Sequence, residues 1–267
     1  RFRYGGLSLD PQHRLLLAVR EDHEVTPEER SEIVALNLDS DNAGGGRVLV
    51  SGADFYAAPA VHDGQLAWFQ WMHPHMSWDE ASVWVTTLND PGNIDRIHGK
   101  SGVSTQHPIW LGNGSLAYVT DESGHWNWVV HHADATSTWH TPHDCSIPVW
   151  VLACAVGDDL LATVQIADGR GVLALWHPRS GGVTHPLPGT AMIESLASHG
   201  QELFAIAEWD DRPSSLVHIS PTGERTELVA SESLVDLSRP VCRWSEGPAG
   251  PVHSWFYPVP RATAAPP

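Results

Sequence analysis

The chain has 267 residues, 42% of them hydrophobic and 18% charged, a balance that supplies a packed core and excludes a disordered polymer. The formal net charge is −17 and Lys100 is the single lysine, so no basic patch is available for nucleic acid or an anionic membrane. Cys145, Cys154 and Cys242 show no CxxC spacing, which supports neither a disulfide framework nor a zinc site and predicts buried free thiols in a reducing, cytoplasmic setting.

No apolar run approaches the ~20 residues of a membrane-spanning helix, and the start carries no signal peptide. The chain opens on RFRYGG without an initiator Met, which reads as a processed chain or a piece of something longer.

One unit recurs five times in chain order, at intervals of roughly 40–53 residues. Each has a short apolar strand, a turn rich in Gly and Asp, a strongly apolar second strand, a third strand, and a short fourth. The turns and second strands read LDPQHRLLLAVRED from Leu9, HDGQLAWFQW from His62, GNGSLAYVTDESG from Gly112, VGDDLLATVQIADG from Val156 and HGQELFAIAEWDD from His199. The third strands read EIVALNLD, SVWVTTLND, NWVVHHAD, GVLALWHP and SSLVHIS, and the fourth RVLVSG, DRIHGK, STWHTP, VTHPLPG and RTELVAS.

Four antiparallel strands at this period predict the blades of a β-propeller, an all-β fold. Runs such as LLLAV, apolar at successive positions, fit a strand buried on both faces. PEERSEIVALNL from Pro27 resembles a helix start, but its register fits a third strand. Five blades are expected over residues 1–231. Residues 232–267 are expected to be a linker, an opening strand VHSWFYPV of a further unit, and a Pro/Ala-rich end.

Several chemical motifs are absent or weak. G-x-S-x-G does not occur. Gly99-Lys100-Ser101 lacks the glycine a phosphate loop needs, because Ile94 holds its place. His131 and His132 are adjacent on a strand and point to opposite faces, so they cannot chelate one ion. His73 and His75 share a face with no third ligand nearby. No metal or cofactor is therefore expected. The carboxylate pairs Glu21-Asp22, Asp79-Glu80, Asp121-Glu122 and Asp210-Asp211 each follow a second strand, which predicts an acidic face, either a solvated rim or a surface for a cationic group such as a peptide amine.

Trp126 and Trp128 lie two apart and so share a face; Trp126, at the strand's start beside the acidic loop, is expected at that acidic face, and Trp128, further into the blade, in the core. In the enlarged loop from Trp71 to Ala81, Trp78 is expected to pack over the blade end and Asp79 to cap a turn or pair with a neighbouring loop.

VREDH (Val19 to His23), HPHMSWDEASVWV (His73 to Val85), VTDESGHWNWVV (Val119 to Val130) and VHSWFYPV (Val252 to Val259) together resemble the prolyl oligopeptidase family of serine peptidases. The likeness is closest to its dipeptidyl-peptidase and acylaminoacyl-peptidase branch, where similar motifs read HPNMPWD and SDRSGWWNLY. Here His75, Ser77 and His125 replace Asn, Pro and Trp. The resemblance implies a propeller, usually seven-bladed, joined to an α/β-hydrolase domain with a Ser-Asp-His triad, and a chain that begins about two blades late. It implies a non-catalytic domain gating access for short peptides, with the hydrolase domain as partner. Arg20, Glu21, His73, Trp78, Asp79 and Trp126 would line the substrate gate or domain interface. The paired-glutamate helix that holds a peptide amine in some relatives does not occur. A free-standing TolB-like propeller that binds a protein or envelope ligand is the alternative. A five-bladed glycosidase would need carboxylates on inner strands, and YAAPAVH and QHPIWL carry none.

Overall fold

The computed structural model describes residues 1–145, 151–229 and 238–259. Blade I contains β1 (Phe2–Asp10), β2 (Leu15–Asp22), β3 (Arg30–Asn37) and β4 (Arg47–Val50). Blade II contains β5 (Phe55–His62), β6 (Gln65–Trp71), β7 (Ser82–Thr87) and β8 (Asp95–His98). Blade III contains β9 (Thr105–Trp110), β10 (Leu116–Thr120), β11 (Asn127–His131) and β12 (Thr136–Thr138). Blade IV contains β13 (Ala153–Val156), β14 (Leu160–Ala167), β15 (Arg170–His177) and β16 (Gly182–Thr184). Blade V contains β17 (Thr190–His199), β18 (Glu202–Trp209), β19 (Ser215–Ile219) and β20 (Arg225–Val229). Each blade is one four-stranded antiparallel sheet with its strands in chain order, as the repeat predicts for a β-propeller.

A separate two-stranded sheet pairs β21 (Val241–Gly247) with β22 (Gly250–Phe256). VHSWFYPV is therefore the second strand of a hairpin, and its partner occupies sequence expected to be linker. The expected boundary at residues 231–232 and the Pro/Ala-rich end lie outside the described residues.

The chain forms two compact units. The first is Arg1–Val151 with Asp158–Leu160 and His177–Gly181; the second is Leu152–Gly157, Leu161–Trp176 and Gly182–Pro267.

In the first unit, side-chain alternation explains the continuous apolar runs. On β6, Leu66 and Trp68 join Leu17, Ile33 and Tyr56 in one buried cluster. Their neighbours Ala67 and Phe69 point the other way and join Val83, Leu116, Tyr118 and Val129 in a second. Successive residues of one strand thus feed the layers on its two sides, and neither face can be polar. In the second unit the same pattern buries Leu161, Ala162, Leu173, Ala174 and Trp176 on β14 and β15, and Leu203, Ala205 and Val217 on β18 and β19. The segment from Pro27 resolves as the predicted third strand, with Ile33 and Val34 fully buried.

The first strands of blades I–III lie side by side, β1 against β5 and β5 against β9. Each carries a β-bulge opposite its second strand, between Gly5 and Ser8, between Ala57 and Ala60, and across His107. At each bulge one residue is left-handed: Gly6 at φ 57°, Ala58 at 46° and His107 at 51°. A bulge tolerates Pro59 and Pro108, since the extra residues owe no ladder hydrogen bond.

Candidate functional site: a cleft at the inner-strand bulges

Two of these bulges shape a cleft of about 280 Å³ in the first unit. Gly5, Gly6, Ala57 and Ala58 form its backbone wall, and Arg3, Tyr4, Val19, Glu21 and Tyr56 complete the lining. The bulges bring the strands close: a Cβ at Gly6 would stand 3.2 Å from Pro59 Cδ. Arg3 and Glu21 sit directly opposite each other in the β1–β2 register. One cation and one anion therefore border the cleft, though Arg3 makes no ion pair among the described residues. Glu21 is 43% exposed, with His23 Nε2 at 3.0 Å from its carboxylate. The Tyr56 hydroxyl accepts from Ala53 N at 2.7 Å; burial pushes its pKa up, so it stays a neutral phenol. The cleft therefore offers two opposite charges on an otherwise small-residue and aromatic lining, suited to a small zwitterionic or amphipathic group.

Among the six sequence candidates, Glu21 lines this cleft. Arg20 does not. It is 4% exposed and pairs with Glu32, and its guanidinium donates to the carbonyls of Gly44 and Gly45, both at 3.0 Å. It also lies over the Phe2 ring at 4.5 Å. Alternation on β2 separates the two: Glu21 faces the cleft and Arg20 the interior.

His73, Trp78 and Asp79 share the β6–β7 loop. His73 is exposed, with its ring edge-on to Phe55 at 4.8 Å. Asp79 caps the turn as expected, accepting from Met76 N at 3.0 Å. Trp78 is 41% exposed. Its neighbour Ser77 is buried instead, and the Ser77 carbonyl accepts from Ser104 Oγ at 2.6 Å and from Gln106 Nε2. The next blade grips this loop through its backbone.

Trp126 also departs from expectation. It is 9% exposed against 0% for Trp128, and its backbone N–H donates to Asp144 Oδ1 at 2.8 Å. Both indoles belong to the core. No hydrogen bond or ion pair joins any two of the six candidates among the described residues.

The carboxylates after the second strands are spent on local partners. Asp22 is the last residue of β2, 3% exposed, with Arg30 at 3.6 Å and Arg1 at 3.8 Å. Glu80 accepts from Gly102 N at 2.7 Å and Ser101 Oγ at 3.0 Å, which hold it below the usual carboxylate range. Asp121 accepts from Ser104 N at 2.9 Å. Glu122 binds Lys100 and, at 2.9 Å, His98. In the second unit Asp210 pairs with Arg170 at 2.6 Å and Asp211 with Arg239 at 2.8 Å. These groups tie segments together, which fits the solvated rim among the two readings of the sequence better than a surface left open for a cationic group.

No group of three or more His, Cys, Asp or Glu side chains is placed to hold a metal among the described residues. His132 is a satisfied core histidine, bonded to Ser115 Oγ at 2.8 Å and Ser137 Oγ at 3.1 Å, while His131 points outward. The three cysteines are free, but Cys242 is exposed, contrary to expectation. None of the described residues forms a helix long and apolar enough to cross a membrane.

Neither a protein-family model nor a curated protein matches the chain. Solved structures do. A puromycin-hydrolyzing peptidase from Mycobacterium tuberculosis is 30% identical with a TM-score of 0.83, over 100% of this chain and 44% of that one. Along its whole length the chain matches the propeller domains of prolyl oligopeptidase-family peptidases. A second puromycin hydrolase of this family is 21% identical, with a TM-score of 0.83 over 96% of this chain and 42% of that one. TolB from Acinetobacter baumannii shares the fold alone, at 15% identity and TM-score 0.56 over 86% of this chain and 55% of that one. The chain spans less than half the length of the two family peptidases.

Proposed function

We propose that this propeller gates substrate access in a serine peptidase acting on short peptides or aminoacyl compounds, with an α/β-hydrolase domain as its partner. The observation that carries the reading is the 30% identity to a puromycin-hydrolyzing peptidase along the whole of this chain. Acyl transfer to serine, with a histidine base and an oxyanion hole, would belong to the partner domain. The contribution of this chain would be selection. A cleft of about 280 Å³ is at the small end of ligand sites, so it accommodates a residue or two of an extended peptide and no folded protein. Arg3 and Glu21 are positioned to meet opposite charges of a short substrate. The loop residues His73, Trp78 and Asp79 would border the route or the partner domain, and a cytoplasmic setting fits the free thiols. The TolB-like reading rests on fold alone and ranks second.

The test is hydrolysis of a peptide series from two to thirty residues by the protein translated from the full reading frame. The rate should fall steeply with length, and Glu21→Gln should raise KM for the shortest substrates with kcat little changed. Length-independent cleavage would overturn the gating role. A reading frame that encodes no hydrolase partner would favour the binding protein.

A further inference from the structure

The β21–β22 hairpin places a nucleophile beside a base. Cys242 stands opposite Trp255, and His253 stands opposite Trp244. Cys242 and His253 are therefore diagonal neighbours on one face of the ribbon. Cys242 Sγ lies 3.0 Å from His253 Nε2. The imidazole is held by two indoles, Trp244 tilted against it at 4.9 Å and Trp255 edge-on at 5.2 Å. Trp255 is fixed in turn: the Arg170 guanidinium lies over it at 4.8 Å, anchored by Asp210 at 2.6 Å. Gly169 permits the approach, since a Cβ there would stand 2.8 Å from Trp255 Nε1.

We propose that Cys242 and His253 form a reactive thiol–imidazole pair that exchanges with small soluble disulfides, making Cys242 a site of reversible S-thiolation. The thiolate is the attacking species in disulfide exchange, and an adjacent imidazole supplies it. The Cys242 proton passes to His253 Nε2. The thiolate sulfur attacks one sulfur of R–S–S–R, the new S–S bond forms as the old one breaks, and the departing thiolate takes the proton back from the imidazolium. The products are the Cys242 mixed disulfide and one R–SH, with no further oxidant required.

The other two cysteines are internal controls. Cys145 is buried and its thiol is pushed up to about 12; Cys154 is half-buried and pushed up to about 11. Burial denies both the thiolate and the disulfide. The charged groups around the pair are Arg170 from β15 with its partner Asp210, and Arg243 next to Cys242 on β21.

The test treats the full chain with oxidised glutathione and maps the mixed disulfide by mass spectrometry. The adduct should fall on Cys242 and spare Cys145 and Cys154. Cys242 should react at least about tenfold faster in the native chain than in the same chain in denaturant at equal pH. His253→Gln, which keeps a polar side chain but no base, should bring the native rate down to the denatured one. An adduct spread over all three cysteines, or a native rate no faster than the denatured one, overturns the proposal. So does an unchanged rate in a folded His253→Gln variant. The comparison of native and denatured chain decides by itself should that variant fail to fold.

Discussion

Arg20 is a charge held out of water by a few neighbours. Its guanidinium donates to two loop carbonyls and to Glu32, itself 5% exposed. Its Nε finds no partner among the described residues. Removing one member of a buried ion pair leaves the other uncompensated, whereas removing both is tolerated far better. Arg30 remains 3.2 Å from Glu32 and compensates in part. Arg20→Met should therefore cost about 3 kcal/mol by urea denaturation, and the double variant Arg20→Met/Glu32→Leu should recover most of it. A double variant as unstable as the single one would show that the pair is not coupled. The same charge explains why the sequence misled at this position. VRED gives no sign of which of its two central residues faces in, and one position of alternation separates an interior arginine from a cleft glutamate.

At the scale of the element, the inner-strand bulges set the cleft. Ala58 sits at φ 46°, where an L residue is strained and glycine is not. Glycine usually weakens a strand. Here Ala58→Gly should instead leave stability unchanged or raise it by up to about 1 kcal/mol, because relief of the left-handed strain offsets the entropy cost. A loss of more than about 1 kcal/mol in denaturation would show that the bulge is not strained at this residue. The sequence did carry a trace of these bulges. Gly5-Gly6, Ala58-Pro59 and His107-Pro108 interrupt strands with residues that break ladders, which is a bulge signal. What was not legible was that adjacent bulges would meet and leave a cleft, since that depends on β1 lying against β5.

For the whole molecule, pH is the simplest probe of what folding has buried. His107 packs against Phe69 at 5.2 Å, and burial lowers its pKa from 6.5 to about 4. Between those values the unfolded chain binds the proton that the folded chain refuses. Its contribution is thus full above pH 6.5, falls as the pH drops, and is gone below about 4. That is on the order of 3 kcal/mol over the window. His107→Asn tolerates the positive φ and removes the titration. Its unfolding free energy should fall less than that of the parent chain between pH 6.5 and 4. Parallel profiles for the two chains would show that His107 titrates normally. Glu80 and Glu122, held low by local donors, lose their contribution at still lower pH, and this part is common to both chains.

The sequence by itself determined the blades. A strand buried on both sides must be apolar at successive positions, and turns rich in Gly and Asp mark where each strand ends, so the pattern is local and repeats. For Asp79 it offered a turn cap or a partner in a neighbouring loop, and the backbone N–H of Met76 three residues away decides for the cap. Only the tertiary structure decided what the charged residues do. Glu80 is spent on Gly102 and Asp121 on Ser104, and neither partner is fixed until one strand's end meets the next blade's start. The same holds for Cys242 and His253, eleven positions apart: a one-residue slip in the β21–β22 register would turn one of them to the opposite face, and that register exists only once the two strands have paired.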